Sequence, residues 1–234
     1  MIDKTFGYNK KESSYYILKN ILRTAHKSIE LLKDKRDIKI LDVGCGDKPY
    51  EEIFKNHLSV KEYVGVDYYN NQKADIKVDL NKEFIPMDDN YFNLVISTQV
   101  LEHLYNPLHT INEIRRVVKD NGIILITVPL LGHEHDKKYD FLRYTKHFYN
   151  RLFKELGDEI IYMDFSNYFL STPLLIFCSM LSHIFPKSYI YTPIWKIAEF
   201  LDYLSIKLFK DRYITHSYYI NLGMVVRVNK NPIG

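Results

Sequence analysis

The sequence has little of several residue types whose abundance would indicate a specialised class of protein. Only two cysteines, Cys45 and Cys178, occur in 234 residues. They are too few for a disulfide framework and lack the paired spacing of a metal site, so a reducing compartment is expected. Residues 1–16 lack the apolar core of a secretion signal, and the cytoplasm is therefore the expected location.

An excess of charge of either sign is also missing. The 32 Lys and Arg residues and 29 Asp and Glu residues give a formal net charge of +3. The basic residues are scattered along the chain, so the composition does not indicate a nucleic-acid partner. Hydrophobic residues make up 46% of the chain, as in a globular protein, and no internal repeat interrupts it. We predict one domain over residues 1–234.

Short apolar runs bounded by turn residues alternate with segments of helical periodicity. The predicted strands are 38–43, 62–69, 76–80, 91–100, 122–129, 159–166 and 218–228, and the predicted helices are 13–32, 50–57, 107 to about 122, and 146–156. This alternation predicts a mostly parallel sheet with helices on both faces. In such sheets, ligands bind beyond the carboxyl ends of the strands.

The first predicted strand ends in a glycine loop, "ILDVGCGDKPY", at residues 40–50. Gly44 and Gly46 allow backbone amides to approach a ligand closely. Asp67 ends the second strand, where an acid can accept both ribose hydroxyls of an adenosine. Lys48-Pro49 stands where a dinucleotide fingerprint has its third glycine, which disfavours a nicotinamide oxidoreductase. An adenosine-containing ligand is therefore predicted.

Five segments, in this order, resemble the class I S-adenosylmethionine (SAM)-dependent methyltransferases, particularly those with a type 11 methyltransferase domain. They are "ILDVGCGDKPY", "YVGVDYY", "VDLN", "IPMDDNYFNLVISTQVLEHL" and "EIRRVVKDNGIILITVP". The resemblance covers about residues 38–130. It implies an α/β fold with a Rossmann-like, seven-stranded, mostly parallel sheet whose last strand is antiparallel, and SAM as the cofactor. A helical insertion then lies between strands six and seven.

The resemblance also implies a SAM site built from the ends of the first four strands. Asp67 would bind the ribose hydroxyls, and Asp79 would accept from the adenine amino group. The implied residues are Asp42, Gly44, Cys45, Gly46, Gln99 and Val100 for the methionine part, and Asp67, Tyr68, Asp79 and Leu80 for the adenosine part.

The loop after strand five, "VPLLGHEHDKKYDFLRYT" at 128–145, resembles a subset of the same superfamily linked to surface glycans. We hypothesise that His135 acts as a general base, that Asp140 assists it, and that Arg143 positions a polar or anionic group. The alternative is that these three side chains only order the loop through hydrogen bonds.

Two other clusters of ionisable residues are given structural interpretations. Glu102 and His103, in "LEH", are interpreted as part of a hydrogen-bonded loop lining the pocket, with an acid–base pair as the alternative. The segment 133–136, "HEHD", has poor spacing for convergent metal ligands. No metal site is predicted.

Aromatic residues are abundant, with 20 tyrosines and 13 phenylalanines, and they concentrate in the predicted insertion at 167–217. Residues 168–185 carry no acid, lysine or arginine, but Pro173 interrupts them. From 194 to 208 the pattern is amphipathic. One face carries Ile194, Ile197, Ala198, Leu201, Leu204 and Leu208, and the opposite face carries Lys196, Glu199, Asp202 and Lys207.

Three interpretations of this insertion remain open. It is a helical cap over the substrate pocket, a homodimer interface, or an interfacial membrane element through 168–212. In the third case Trp195, the tyrosines and basic residues including Lys187, Lys210 and Arg212 lie at the headgroup level. The inner face of the membrane would then be the location.

The predicted activity is methyl transfer to an oxygen or nitrogen of a small or lipid-linked acceptor, with a surface-polysaccharide sugar favoured by the resemblance. Methylation of a quinone or other lipid precursor is an alternative within the same class. A non-catalytic SAM-binding protein is an alternative outside it.

Overall fold

A seven-stranded sheet organises the chain. Its strands are β1 (Ile38–Val43), β2 (Val60–Asp67), β3 (Ile76–Lys77), β4 (Phe92–Thr98), β5 (Val118–Pro129), β6 (Glu159–Phe165) and β7 (Asn221–Arg227). The spatial order is β3-β2-β1-β4-β5-β7-β6, and the pairs from β3 to β5 are parallel. This computed structural model describes residues 15–135, 138–182, 191–209 and 217–231.

The last strand runs against its neighbour, as predicted. The Asn121 N–H donates to the Val228 carbonyl, whereas the Leu130 N–H donates to the Ile220 carbonyl. The residue numbers of the partners on β7 therefore decrease as those on β5 increase, which is the antiparallel arrangement. The predicted fold class is confirmed.

The helices connect the strands and fill the predicted insertion. They are α1 (Tyr15–Leu32), α2 (Glu51–His57), α3 (Pro107–Val117), α4 (Lys146–Glu155), α5 (Thr172–Ser182) and α6 (Tyr191–Phe209), with a 3₁₀ turn at Leu101–His103. Both α5 and α6 lie between β6 and β7 in the chain. None of the helices in the described ranges combines the length and apolarity needed to cross a membrane.

The boundary between α3 and β5 differs from the prediction. The helix ends at Val117, and the strand begins at Val118, although the sequence predicts a helix to about Gly122. Asn121 has a left-handed φ of 57°, and a Cβ built on Gly122 would lie 2.7 Å from Val118 Cγ2. The polar segment before Gly122 is therefore a kinked strand start, and not a last helical turn.

The chain divides into two compact units. The larger comprises residues 24–128, 134–163 and 223–234 and holds the central strands. Its core is apolar and includes Ala25, Ile29, Leu32, Ile38, Ile40, Phe54, Leu94, Ile96, Ile123, Leu125 and Val225. Burying each such large side chain contributes about 1.5–3 kcal/mol.

The smaller unit comprises residues 1–23, 129–133 and 164–222. In its described part, Trp195 of α6 packs 5.3 Å from the Tyr16 ring, measured between centroids. Trp195 and Ala198 belong to a buried cluster with Tyr15, Tyr16 and Leu175. Trp195 is therefore a core residue, and the predicted placement of its ring at lipid headgroups is wrong.

The predicted apolar face of α6 is confirmed only in part, since Ala198 is fully buried but two other members are not. Ile197 and Leu208 are exposed, while Asp202 accepts a hydrogen bond from the Tyr168 N–H at 2.9 Å. Ser205 is fully buried and accepts from the Leu170 N–H. The buried face carries polar side chains because the loop before α5 has backbone donors that need acceptors. Lys187, Lys210 and Arg212 lie outside the described residues.

Candidate cofactor and acceptor site

The loop after β1 adopts backbone angles that favour glycine. Gly44 and Gly46 have φ values of 69° and 51°, in the left-handed region. At Gly44 a Cβ would lie 2.3 Å from Val100 Cγ2, so the loop contacts the end of β4 directly. At Gly46 a Cβ would meet nothing within 4 Å. Gly44 has no room for a side chain because Val100 packs against it, whereas Gly46 borders open space.

Asp67 joins the ends of β1 and β2. Its Oδ2 accepts from the Gly46 N–H at 2.8 Å and from Asn71 Nδ2 at 2.7 Å, and its Oδ1 accepts from the Tyr68 N–H. A carboxylate offers about four acceptor positions, so Asp67 retains capacity for a further donor. The predicted pairing of the glycine loop with this acid is present.

Asp42 lies beneath the loop and is buried. Its carboxylate accepts from the Tyr63 hydroxyl at 2.6 Å. Burial raises the pKa of Asp42 to about 6, although the Tyr63 hydrogen bond opposes this shift. Asp42 therefore supports the loop from below instead of presenting an exposed charge.

Lys48 and Cys45 fill the space behind the loop. Lys48 Nζ pairs with Asp75 at 2.6 Å, and the same Asp75 oxygen accepts from the Gly65 N–H. A Cβ on Gly65 would lie 2.5 Å from Lys48 Cε and 2.7 Å from Cys45 Sγ. Burial raises the pKa of the Cys45 thiol to about 12. The thiol is therefore protonated and fills space.

Asp79 and Leu80 lie in a turn that follows β3. The Asp79 carboxylate accepts from the Asn81 N–H at 3.0 Å and lies 3.3 Å from Lys82 Nζ. Burial raises its pKa, but the donors from Asn81 and Lys82 outweigh that effect and lower it. The Leu80 carbonyl accepts from Thr110. Asp79 is thus ionised and engaged in its own turn.

The end of β4 carries local strain. Gln99 has a φ of 56°, which is uncommon for a residue other than glycine and marks functional sites in many proteins. Its N–H donates to the Thr127 carbonyl at 2.9 Å, and its Nε2 donates to Thr127 Oγ1 at 3.1 Å. These bonds fix the entry into the Leu101–His103 turn.

Tyr68, the last predicted cofactor contact, is half exposed at the end of β2.

Asp140 and Arg143 order the loop after β5. Arg143 donates to both oxygens of Asp140, with Nη2–Oδ2 at 2.7 Å, and the His135 N–H donates to Oδ2 at 3.0 Å. The hydrogen bonds from Arg143 lower the pKa of Asp140 to about 2. His135 Nδ1 lies 3.6 Å from the same carboxylate. The structure brings the three predicted residues together.

The Leu101–His103 turn holds the carboxylate of Glu102, which the sequence led us to interpret as part of a hydrogen-bonded loop. Glu102 is 2% exposed, and neither carboxylate oxygen has a hydrogen-bond partner among the described residues. Burial raises its pKa to about 7. Its carbonyl accepts from the Phe141 N–H at 2.8 Å. The turn and the loop after β5 are therefore joined, but not through this carboxylate.

His103 and His135 lie beside Glu102. Their ring centroids are 5.0 Å apart, and His103 Nε2 is 3.9 Å from Glu102 Oε1. The sequence could have indicated this convergence, since β4 and β5 are neighbours and each is followed by a histidine.

The sequence and the structure are both similar to known methyltransferases. A family model described as a methyltransferase domain matches residues 8–161. A probable SAM-dependent methyltransferase of Mycolicibacterium smegmatis is 26% identical over 98 residues, which cover 38% of this chain and 37% of that protein. An uncharacterised protein of Methanocaldococcus jannaschii is 31% identical over 101 residues, 43% of this chain and 44% of that protein. The matches thus span less than half of these relatives.

Solved structures show the same fold. A SAM-dependent methyltransferase from Archaeoglobus fulgidus superposes with a TM-score of 0.54 at 18% identity, covering 88% of this chain and 93% of that one. The [4+2]-cyclase SpnF superposes with a TM-score of 0.55 at 17% identity, covering 88% and 81%. At this identity the likeness establishes the fold alone. The family match over residues 8–161 shows that the chain belongs to the methyltransferase domain family, whose cofactor is SAM.

Proposed function

We propose that this protein transfers a methyl group from SAM to an oxygen or nitrogen of a small or lipid-linked acceptor. The observation that carries the proposal is the hydrogen bond between the Gly46 N–H and Asp67, next to the open space beside Gly46. When bound, SAM would supply the methyl group of its sulfonium, and the electron pair of the S–C bond would stay on sulfur. The acceptor forms the new bond and loses a proton.

The chain's own residues bind and orient the cofactor. Asp67 holds the Gly46 amide in place and has acceptor capacity left for a ribose hydroxyl. Gly44 brings the loop against Val100 at the end of β4. Asp79 is occupied by its own turn, so we expect the adenine to depend less on its carboxylate than the resemblance implies.

His135 is our proposed acceptor of the proton released by the substrate. Its ring lies beside the fixed Asp140–Arg143 pair, and its side chain is 42% exposed, so a bound acceptor could reach it. Asp140 and Arg143 hold the loop, and their mutual bonds favour a positioning role for both. If His135→Ala keeps near-full turnover with an identified acceptor, the general-base hypothesis fails.

Exposed apolar side chains on α5 and α6 support a lipid-linked acceptor. Phe177 and Met180 on α5 are 57% and 65% exposed, and Phe200 on α6 is 59% exposed. Exposed apolar side chains mark a surface that contacts a partner or a membrane when they form a contiguous patch, and α5 and α6 contact each other. We propose that these two helices contact the membrane surface where a lipid-linked sugar or a quinone precursor resides. A panel of polyprenyl-linked sugars and quinone precursors, assayed with labelled SAM, separates the two acceptor classes.

The SAM site is tested by calorimetry on the full chain. We expect Asp67→Ala to weaken SAM binding about 10- to 100-fold, because a charge-assisted hydrogen bond to the ribose contributes about 1.5–3 kcal/mol. The control is Asp89→Ala, which removes an exposed acid paired with Arg116. Equal SAM affinity in both variants, or binding of NAD in place of SAM, would contradict the proposed function.

A further inference from the structure

We propose that Glu102, His103 and His135 bind a divalent transition-metal ion. One ligand atom from each of the three side chains lies within 4.8 Å of the others. All three belong to the larger compact unit. The two histidines follow β4 and β5, which are hydrogen-bonded neighbours in the sheet.

The buried carboxylate is the strongest indication of a cation. The Glu102 side chain is 1% exposed, and both of its oxygens lack a hydrogen-bond partner among the described residues. A buried carboxylate without a hydrogen-bond partner is costly, and proteins normally pair such a group or use it to coordinate a metal. His103 and His135 lie on the accessible side, with side chains 25% and 42% exposed. A cation could therefore enter from solvent.

The hydrogen bonds around His103 prepare it to act as a ligand. Its Nδ1 lies 2.9 Å from the Tyr139 carbonyl, which can only accept, so Nδ1 carries a proton. The neutral ring then has its lone pair on Nε2, the nitrogen that is 3.9 Å from Glu102 Oε1. A carbonyl on the second imidazole nitrogen is the usual support of a metal-binding histidine.

The donor set selects the class of ion. Two imidazoles and one carboxylate suit Mn²⁺, Fe²⁺, Co²⁺ or Zn²⁺ better than Mg²⁺, which prefers oxygen ligands. Donors about 2.1 Å from one cation lie roughly 3–4 Å apart. Closure by about 1 Å, within reach of side-chain rotation, would complete the site. Three protein ligands leave open positions for water or an acceptor oxygen.

The role of the ion depends on the proposed function. A cation bound to the acceptor oxygen would lower the pKa of its hydroxyl and so favour its deprotonation before methyl transfer. A nitrogen of His135 that coordinates the ion cannot also accept a proton, so the ion would replace His135 as the agent of deprotonation. The binding of the ion itself does not depend on this role.

The experiment measures metal binding directly on the full chain. Protein stripped with EDTA is titrated with Co²⁺, read by its visible d–d absorption, and with Mn²⁺ by equilibrium dialysis. We expect one ion per chain, and at least about ten-fold weaker binding in Glu102→Gln and in His103→Ala. The control, His57→Ala, removes an exposed histidine outside the cluster and should bind as the wild type does. Circular dichroism of each variant verifies folding.

Two outcomes separate this inference from the proposed function. If the wild type binds Co²⁺ and Mn²⁺ no more tightly than a folded Glu102→Gln or His103→Ala variant, the metal site is refuted. SAM affinity is measured on the metal-free wild type in parallel. SAM binding without metal binding overturns only this inference, whereas metal binding without SAM binding overturns only the proposed function.

Discussion

At the scale of single residues, the loop after β1 depends on small differences between similar positions. Gly44 and Gly46 share a left-handed backbone, but only Gly44 lies against another side chain, that of Val100. The sequence identified both glycines and Asp67. It could not distinguish their surroundings, because that requires knowing that the end of β4 lies beside the loop.

The two glycines should therefore respond differently to alanine. Gly46→Ala introduces mainly backbone strain, about 1–2 kcal/mol. Gly44→Ala adds an overlap with Val100 Cγ2 and should cost about 2–5 kcal/mol in total. Urea unfolding of both variants measures the difference. A smaller loss for Gly44→Ala than for Gly46→Ala would show that the loop does not pack against β4.

Asp42 makes stability depend on pH in an unusual direction. Its pKa is raised from 3.8 to about 6 by burial, so the folded state favours the protonated acid. The stabilisation of the folded state by protonated Asp42 is fully present below about pH 4 and is lost as pH rises through about 6. The shift of about two pKa units corresponds to up to about 3 kcal/mol.

Asp42→Asn should remove that dependence, since the amide oxygen can still accept from Tyr63. We expect the variant to exceed the wild type in unfolding free energy at pH 7 by up to about 3 kcal/mol, with a smaller difference near pH 4. Urea unfolding at several pH values measures this difference. A difference in unfolding free energy between the two proteins that stays the same from pH 4 to pH 7 would contradict this prediction.

At the scale of elements, the central strands were predictable because they are buried on both faces and read as short apolar runs. The start of β5 was not, because Lys119, Asp120 and Asn121 are polar and helix-compatible. The buried face of α6 was mispredicted for a different reason. The partly buried Asp202 and the buried Ser205 accept hydrogen bonds from the loop before α5, and no periodicity of apolar residues reveals such acceptors.

Substitutions at a buried and at an exposed position of α6 test this correction. Ala198 is fully buried against the cluster with Tyr15 and Tyr16, so Ala198→Leu should destabilise by about 1–3 kcal/mol through overpacking. Ile197 is 52% exposed, and Ile197→Ala should change stability by less than about 0.5 kcal/mol. Thermal unfolding of both variants decides. A smaller loss of stability for Ala198→Leu than for Ile197→Ala would contradict the burial of Ala198 and the exposure of Ile197.

At the scale of the whole molecule, composition limits how the chain could contact a membrane. The formal net charge is only +3, so long-range attraction to anionic lipid is weak. The proposed contact on α5 and α6 is instead apolar. The sequence predicted the fold and the family, but the acceptor depends on surfaces that only the folded arrangement exposes, and the site around Glu102 joins segments that are distant in the chain.

Vesicle binding should therefore resist salt. We expect the full chain to co-sediment with phosphatidylcholine–phosphatidylserine vesicles and to remain bound at 1 M NaCl, because apolar insertion is not screened. The double variant Phe177→Glu/Phe200→Glu should lose binding. The control, Phe84→Glu, alters an exposed phenylalanine of the larger unit and should not. Recovery of the wild type in the supernatant at low salt would exclude the membrane contact.

The packing behind the first loop has a consequence for how this sequence can diverge. Lys48 occupies the volume that a side chain at Gly65 would need, and Asp75 binds both Lys48 and the Gly65 amide. A side chain at position 65 would also overlap Cys45 Sγ, so a descendant that gains one must change the residues at 45 and 48, and a shorter residue at 48 leaves the acid at 75 without its cation. Positions 45, 48, 65 and 75 are expected to change as a set during evolution, and ancestral reconstruction should recover them together.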